Sequence, residues 1–363
     1  MVNMVERLSF AYEFHIVTRN YDGPGDKRPY PNINSGEWIT GGIAKIQYLS
    51  NDLINKKYFS KIIHEVKPDA IFLNSVFGTL PRQFLLLRRR EKLYEIPVVL
   101  APCGELSAAA LSLKKTKKRA YLTLSKLYGM YKGVLWKASA EMEKDEVINA
   151  IGKNAEVMIA PDLPPLTILP DFSVSQKPSK VPGELIIAFV SRIVRKKNLH
   201  FLLKALSGIT KGKVRLNIVG TIEDKQYWEL CEGEMAKLPS NVSVNVIGGV
   251  RYDQALEYLV SSHVFALPTL HENFGYVFVE ALSAGCPIII SERTIWNDLE
   301  KFGIGSVVNI DSVEKWHSEI ESYIELDQDS FNKMSADARS YSVNWLSNPD
   351  LQSATERVFA SVV

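Results

Sequence analysis

The chain has 363 residues, of which 46% are hydrophobic and 23% charged, a composition that excludes a disordered protein and fits two domains of ordinary size. Net charge is only +2, yet residues 1–165 carry about +7 and the remainder about −5, which suits either an anionic partner or an ordinary solvated surface. The cysteines Cys103, Cys231 and Cys286 lie far apart, which favours reduced thiols over a zinc site, and without a signal pattern or an apolar run of about 18 residues any membrane association would be peripheral.

Short β-branched runs alternate with helical patterns along the first half. The predicted strands are FHIVT (14–18), GIAKIQYL (42–49), DAIFLNS (69–75), PVVLAP (97–102), GVLWKASA (133–140) and AEVMIAP (155–161). The predicted helices between them cover residues 58–66, 80–94 and 141–151. This rhythm of strand, helix and strand predicts an α/β fold with a doubly wound parallel sheet.

A second series of the same kind follows a polar, proline-bearing stretch. Its predicted strands are LIIAFV (185–190), VRLNIVG (214–220), VSVNVIG (242–248), HVFALP (263–268) and PIIIS (287–291). The chain is therefore predicted to have two Rossmann-like domains, residues 1–165 and 185–345, a linker at 166–184 and a terminal segment at 346–363. Because open α/β sheets bind ligands beyond the carboxyl ends of their strands, two such domains face to face predict a site in the cleft between them.

The segment ALPTLHENFGYVFVEALSAGCPIIIS, residues 266–291, contains a predicted strand, loop, helix and strand. The helix is expected to begin near Asn273, whose side chain can cap its first amides, and to stop at Gly285. Its first turn attracts phosphate or sugar hydroxyls, because the amides there are unpaired and the dipole end is positive. Gly275 lets a ligand approach the backbone.

Two glutamates frame this helix start. Glu272 lies in the loop, where it can bind sugar hydroxyls, and Glu280 lies about two turns into the helix, where it can bind a ribose diol. A solvent-facing Glu280 is the simpler alternative, but its neighbours are almost all apolar. A buried glutamate needs a specific partner, so the ligand interpretation is favoured.

These residues resemble the E-x7-E motif of the family 4 retaining glycosyltransferases of the GT-B fold, within the pattern P-[ST]-x-x-E-x-F-G-x-x-x-x-E-A. The other matching positions are Pro268, Thr269, Phe274, Gly275, Ala281, Gly285 and Pro287. The resemblance implies that Glu272 contacts the sugar of a nucleotide-sugar donor, that the amides of Asn273, Phe274 and Gly275 contact sugar and phosphate, and that Glu280 holds the ribose.

A second segment, FVSRIVRKKNLHFLLKAL, resembles the family's G-R-L-x-x-x-K-G pattern, with Arg192 and Lys197 in the cationic positions. Two fixed cations there can stabilise a departing diphosphate without a divalent ion, so no metal and no cofactor beyond the co-substrate, a UDP- or GDP-sugar, is predicted. An ordinary solvated helix start is the alternative. Gly220 and Gly248 end strands at the same edge, where they either admit the nucleotide or serve as turn glycines.

In the first half, LNSVF and APCGELSAAALSLK resemble the segments NSLF and APRGELSPGALSLK of a subgroup of the family. The resemblance implies that Asn74, Gly104 and Glu105 lie on the acceptor side, with Cys103 where an arginine is usual. The basic and apolar segment LKKTKKRAYLTLSKLYGMYKG, from Leu113 to Gly133, suits an anionic membrane surface or, equally, a solvated helix face. Nucleic-acid binding is not predicted, because no recognition motif accompanies the basic cluster.

The start of the chain departs from the family. The opening MVNMVERLSFAYEF resembles the end of a first helix followed by the second strand, so the first, central strand of the N-terminal sheet is expected to be missing. Either the true start lies upstream or the chain is truncated and inactive. The terminal segment resembles the helix that packs back toward the N-terminal domain in this fold.

The resemblance implies a retaining hexosyltransferase that moves a sugar from a nucleotide-diphosphate sugar to a hydroxyl of a saccharide acceptor, which is expected to be lipid-linked. The expected setting is bacterial surface polysaccharide biosynthesis, including lipopolysaccharide, at the cytoplasmic face of the membrane. A truncated nucleotide-sugar-binding protein without catalysis is the first alternative. A GT-B nucleotide-sugar epimerase is the second.

Overall fold

The computed structural model describes residues 1–22, 28–112, 114–165 and 177–363. The chain divides into two compact units, one formed by Met1–Leu166 with Pro349–Val363 and the other by Thr167–Asn348. Both units combine helices with sheets whose strands are mostly parallel, so the α/β fold class is confirmed. Of the predicted linker, residues 166–176 lie outside the described residues.

In the described part of the first unit, seven strands form two sheets. Its elements up to residue 166 are α1 (Val2–Leu8), β1 (Phe14–Arg19), β2 (Trp38–Gly41), β3 (Ala44–Leu49), α2 (Lys56–Val66), β4 (Ile71–Asn74), α3 (Thr79–Glu91), β5 (Val98–Ala101), α4 (Ala108–Ser112), α5 (Lys115–Leu127), β6 (Val134–Ala138), α6 (Glu141–Ile151) and β7 (Glu156–Ile159). One sheet has the order β1-β3-β2 and the other β4-β5-β6-β7. Strand β2 was not predicted; it pairs antiparallel with β3 in a hairpin.

Among residues 177–348 of the second unit, six parallel strands form one sheet in the order β10-β9-β8-β11-β12-β13. Its elements are β8 (Glu184–Val190), α7 (Leu199–Ser207), β9 (Lys213–Val219), α8 (Lys225–Met235), β10 (Val242–Gly248), α9 (Tyr252–Val260), β11 (Val264–Leu267), α10 (Tyr276–Ser283), β12 (Ile288–Ser291), α11 (Leu299–Phe302), β13 (Gly305–Val308), α12 (Val313–Ile324) and α13 (Gln328–Leu346). The strand order reverses between β8 and β11. In doubly wound sheets the crevice at this reversal is the ligand site.

The central strands of this sheet lie in the main hydrophobic core. All four residues of β11 and all four of β12 are buried, as a parallel sheet covered on both faces requires. Residues 177–183 pack on this unit as well, because the Lys177 ammonium donates to the carbonyls of Leu259 and Ser262 at 2.8 and 2.6 Å. These carbonyls lie at the end of α9, where a cation is favourable.

The last helix, α14 (Pro349–Ala360), belongs to the first unit. Ala354 and Val358 share a buried cluster with Val99, Leu135 and Ala160. The helix therefore supplies part of the core of a unit whose larger segment, Met1–Leu166, ends 183 positions before Pro349.

Strands β1 and β4 each form an edge of their sheet in the described part of the chain. Phe14 of β1 and Phe72 of β4 both pack on Phe359 of α14, with ring centroids 6.1 and 5.8 Å away. One side chain of α14 therefore packs on a residue from each of these two edge strands.

Candidate functional site

The loops that follow β8 and β11 meet at the reversal of strand order in the second unit. The amide of Leu270 and the hydroxyl of Thr269 both donate to the carbonyl of Lys196, at 2.9 and 3.2 Å. The Glu272 amide donates to the Arg293 carbonyl beyond β12 at 3.1 Å. The two segments singled out in the sequence are therefore held together by backbone hydrogen bonds.

At their junction Lys197 and Glu272 form an ion pair between Nζ and Oε2. Their side chains are only 12% and 13% exposed, so the pair is largely removed from water. Lys197 ends a short 3-10 turn, Arg195–Lys197, and Asn198 leaves it with φ +59° to begin α7. A partly desolvated ammonium beside a carboxylate interacts far more strongly with a ligand charge than an exposed one does.

Arg192 lies elsewhere in the same region. Its guanidinium pairs with Glu223 beyond β9, at 3.0 Å, and its side chain is 64% exposed. The sequence predicted that Arg192 and Lys197 act together on one diphosphate. The structure brings Lys197 to Glu272 and gives Arg192 a different carboxylate, a partner that no motif signalled.

The start of α10 differs from the prediction, which placed the cap at Asn273. The helix begins at Tyr276, and Gly275 is the N-cap residue with φ +82°. A Cβ at Gly275 would lie 2.4 Å from the Phe278 ring and 3.0 Å from Cγ of Glu272, so only glycine fits there. The positive φ of Gly275 determines where the helix begins, and the amino-acid sequence alone does not show which glycine has a positive φ.

The loop before α10 is anchored by an aromatic cluster. The Phe274 ring is buried and packs on Trp296 and Trp345, and the indole Nε1 of Trp296 donates to the Phe274 carbonyl at 2.7 Å. Within the described residues, the amides of Phe274 and Gly275 donate to no protein acceptor. Phe274 can therefore reach a ligand only through its backbone, and the helix start offers donors to an anion.

Glu280 lies on α10 and is mostly buried. Burial raises the pKa of its carboxyl to about 7, while a hydrogen bond from the Tyr252 hydroxyl acts in the opposite direction. Tyr252 opens α9, directly after the carboxyl end of β10. The sequence predicted that a buried Glu280 needs a partner; Tyr252 was missed, although its place after a strand end was a usable signal.

The neighbouring His271 stays neutral. It is buried, and burial together with the charge of Lys196 lowers the pKa of its imidazole to about 4. The Lys197–Glu272 pair therefore has an uncharged imidazole beside it.

Gly220 and Gly248 end β9 and β10 at the same edge, and the Gly220 amide donates to the Gly248 carbonyl at 2.8 Å. A Cβ at Gly220 would lie 1.9 Å from the Ser191 carbonyl oxygen, whereas a Cβ at Gly248 would meet nothing within 4 Å. Gly220 is therefore required for the close packing of β8 against β9. Gly248 borders open space.

Alanine at these two positions is expected to give very different results. Gly220→Ala must displace backbone and is expected to lower the free energy of unfolding by at least about 3 kcal/mol. Gly248→Ala carries only the strain of φ +81°, which costs about 1–2 kcal/mol. Urea unfolding of both variants measures this difference; equal losses would contradict the packing role of Gly220.

The predicted acceptor-side residues lie together at the carboxyl ends of β4 and β5 in the first unit. The Glu105 carboxylate accepts from the Ser75 hydroxyl at 2.9 Å and from the amides of Val76 and Phe77 at 2.6 and 3.1 Å. The Gly104 amide donates to Glu143 at 2.6 Å. Oδ1 of Asn74 lies 3.9 Å from the Cys103 sulfur. Glu105 and Gly104 thus hold two loops in place, and their contact with an acceptor stays a prediction.

Among the described residues no cluster of three or more His, Cys, Asp or Glu side chains is arranged to hold a metal ion. None of the described helices is long and apolar enough to cross a membrane. In the basic segment Leu113 lies outside the described residues, and the rest forms α5 and the turn that follows it. On its outer face Leu124, Leu127 and Tyr128 are 65%, 81% and 44% exposed.

Residues 172–341 match the family model described as Glycosyl transferases group 1. Glycosyltransferase MJ1607 of Methanocaldococcus jannaschii, itself uncharacterized, is 31% identical over 110 residues, which are 30% of this chain and 27% of that protein. The capsular polysaccharide biosynthesis glycosyltransferase CapM of Staphylococcus aureus is 31% identical over 111 residues, 30% of this chain and 28% of that protein. The matched region therefore spans less than a third of the length of these relatives.

Solved structures extend the likeness over nearly the whole chain. Sucrose-phosphate synthase of Thermosynechococcus elongatus superimposes with a TM-score of 0.73 at 15% identity, covering 99% of this chain and 91% of that one. Anabaena HepE in complex with UDP-glucose gives a TM-score of 0.64 at 16% identity, covering 87% and 86%. At such identities the likeness shows the fold, which is that of GT-B glycosyltransferases with two Rossmann-like domains.

Proposed function

We propose that this chain, with its GT-B fold and its match to the group 1 glycosyl transferases, is a retaining, metal-independent glycosyltransferase that uses a nucleotide-diphosphate sugar. The observation that carries the proposal is the Lys197–Glu272 ion pair beside the Gly275 helix start. These groups lie at the carboxyl edge where the strand order reverses, and they fall within the matched segment.

Each part of the donor then has a counterpart. The ammonium of Lys197 and the amides of Phe274 and Gly275 bind the diphosphate, Glu272 accepts hydrogen bonds from the sugar, and Glu280 accepts from the ribose. Arg192 reaches the diphosphate by leaving Glu223, since an exposed ion pair is worth only about 0–1 kcal/mol. The complex of HepE with UDP-glucose supports UDP as the nucleotide; GDP is the other candidate.

The proposed reaction replaces one bond to the anomeric carbon of the donor sugar by another. The bond from this carbon to the diphosphate oxygen breaks, the acceptor hydroxyl oxygen attacks from the same face, and the departing phosphate takes the hydroxyl proton. Lys197, Arg192 and the helix start stabilise the charge on the leaving group. Because attack and departure share one face, no protein nucleophile is needed.

The proposed acceptor is a hydroxyl of a lipid-linked saccharide. The proposed setting is surface polysaccharide synthesis at the cytoplasmic face of the membrane, which the similarity to the capsular polysaccharide enzyme CapM supports. On α5 the exposed side chains of Leu124 and Leu127 are flanked by the exposed cations Lys117, Arg119 and Lys126. This combination suits a surface of anionic lipid. The chain is expected to co-sediment with vesicles that contain phosphatidylglycerol, and L124S/L127S to lose this binding; equal binding to neutral vesicles would contradict the idea.

Calorimetry with UDP-, GDP- and ADP-glucose tests the donor site. Wild type is expected to bind one of them with and without EDTA, and Glu280→Ala to bind at least tenfold more weakly because the ribose contact is lost. Glu257→Ala, which changes an exposed glutamate on the neighbouring helix α9, is the matched control and should bind normally. Loss of binding in EDTA would overturn the metal-independent mechanism, and no binding to any of the three would overturn the donor site.

A second assay distinguishes a transferase from a protein that only binds the donor. It measures, by chromatography, the nucleoside diphosphate that is released from the bound nucleotide sugar. Slow hydrolysis that is faster than the background supports catalysis. Tight binding without any turnover would instead support the non-catalytic alternative.

A further inference from the structure

A row of polar side chains lies at the carboxyl edge of the four-stranded sheet in the first unit. Asn74 ends β4, Cys103 follows β5, Lys137 lies near the end of β6 and Asp162 follows β7. Since these strands are neighbours in the order β4-β5-β6-β7, each contributes one group to the same edge. Carboxyl edges of parallel sheets are where such folds bind ligands.

Lys137 and Asp162 form an ion pair at this edge. The Lys137 side chain is 6% exposed and that of Asp162 is 28% exposed, so the carboxylate is the part that faces outward. Removing an ammonium from water is costly, and a chain that needed only stability would place apolar side chains here. The buried pair presents hydrogen-bond donors and acceptors side by side.

The loops around the pair are held in unusual backbone conformations. Ser75 and Cys103 have φ values of +80° and +53°, although neither is glycine. Such conformations cost about 1–2 kcal/mol each and persist only where the surroundings fix them. Glu105 fixes the first loop through its bonds to residues 75–77, and Glu143 fixes the second by accepting from Gly104 and from Ser139 at 2.6 and 2.7 Å. The edge is therefore preorganised.

Three cations that the structure describes around this edge have partners. Lys137 is paired with Asp162, Lys118 donates to the Ala110 carbonyl at 2.7 Å, and Arg7 donates to the carbonyls of Pro164 and Pro165 at 3.0 and 3.3 Å. A phosphate would have to displace Asp162 from Lys137 and approach Glu105 and Glu143 as well. An uncharged hydroxyl group meets no such repulsion and can use both members of the pair.

We propose that this edge binds an uncharged sugar of the acceptor, with the Lys137–Asp162 pair hydrogen-bonding to adjacent hydroxyls. The proposal rests on the proposed glycosyltransferase function and names the chemistry of its acceptor side. Lys137 and Asp162 are then specificity residues that favour a neutral saccharide over a phosphorylated one. Cys103, whose side chain lacks a charge, borders the same ligand.

Saturation-transfer NMR tests this with the methyl α-glycosides of glucose, galactose, mannose and N-acetylglucosamine, and with glucose 6-phosphate. Wild type is expected to bind at least one glycoside and to bind the phosphate more weakly. K137M/D162N removes both charges at similar volume and is expected to weaken glycoside binding at least tenfold. K45M/E13Q changes an exposed ion pair of the same unit and should leave binding unchanged.

Cys103→Phe provides a second variant that covers the edge and leaves the ion pair in place, so a K137M/D162N protein that fails to fold does not end the test. Binding of no glycoside, preference for glucose 6-phosphate, or full glycoside binding by the altered proteins would each overturn the proposal. Nucleotide-sugar calorimetry on the same variants should match wild type. If the wild type binds a glycoside but no nucleotide sugar, only the proposed function is overturned.

Discussion

Replacing Lys197 by methionine is expected to lower kcat by about 100- to 1000-fold, the range found when one preorganised donor to a developing charge is removed. In the proposed reaction this largely buried ammonium acts on the leaving diphosphate in a weakly screening environment. The stabilised charge grows as the sugar departs, and KM should therefore change less than kcat. Steady-state release of nucleoside diphosphate at saturating donor measures both constants.

Lys196→Met is the matched control, because it removes the same charge one residue away and leaves the Lys196 carbonyl, which holds the second loop, unchanged. Its kcat should stay within about threefold of wild type. Urea unfolding of Lys197→Met separates catalysis from stability, since this variant leaves the largely buried Glu272 without its partner. A Lys197→Met enzyme that folds and keeps its kcat would remove Lys197 from the mechanism.

Donor binding is expected to weaken about tenfold between pH 8 and pH 6 because Glu280 becomes protonated. Burial raises the pKa of Glu280 to about 7 in the free protein, and only its ionised form accepts hydrogen bonds on both oxygens from a ribose diol. Calorimetry of the bound nucleotide sugar across this range measures the change. Glu280→Gln should bind more weakly at pH 8 and show no such slope; a parallel slope in both proteins would rule out Glu280 as the group that titrates.

The same shift changes stability in a defined direction. The folded protein keeps the Glu280 proton until about pH 7, whereas the unfolded chain loses it near the ordinary value of 4.5. Stability from this group is therefore fully present below pH 4.5 and is lost as pH rises through 7, by up to about 3 kcal/mol relative to Glu280→Gln. Urea unfolding of the two proteins at pH 5 and pH 7.5 gives this difference.

Much of the candidate site could be predicted from local sequence, because its loops follow strands that are recognisable in the sequence as short apolar runs. The segments around Lys197 and Glu272 each follow a strand of the second series, and any doubly wound order brings such loops to one edge. Gly275 was predicted as a place where a ligand approaches the backbone, and the structure places it at the start of α10. The resemblance to one family also predicts that the two segments belong to the same donor site.

Other features depend on contacts between distant residues and could not be predicted this way. Tyr252 reaches Glu280 from a different strand end, and Glu223 reaches Arg192 across another loop. The N-cap residue of α10 is Gly275 and not the predicted Asn273, because a positive φ, not a capping side chain, sets the helix start. Strand β2 was not predicted because its sequence, WITG, is short and half polar. Only its pairing with β3 makes it a strand.

The position of α14 also sets the order in which the chain can become complete during synthesis. Residues 167–348 form a continuous unit, so the second domain holds all its own residues before α14 has been made. The first domain does not: Ala354 and Val358 reach Val99 and Leu135 only after the ribosome has added the whole of the other domain. The first part of the protein to be synthesised is therefore the last to close its core, and until then it exposes apolar surface that a chaperone can bind.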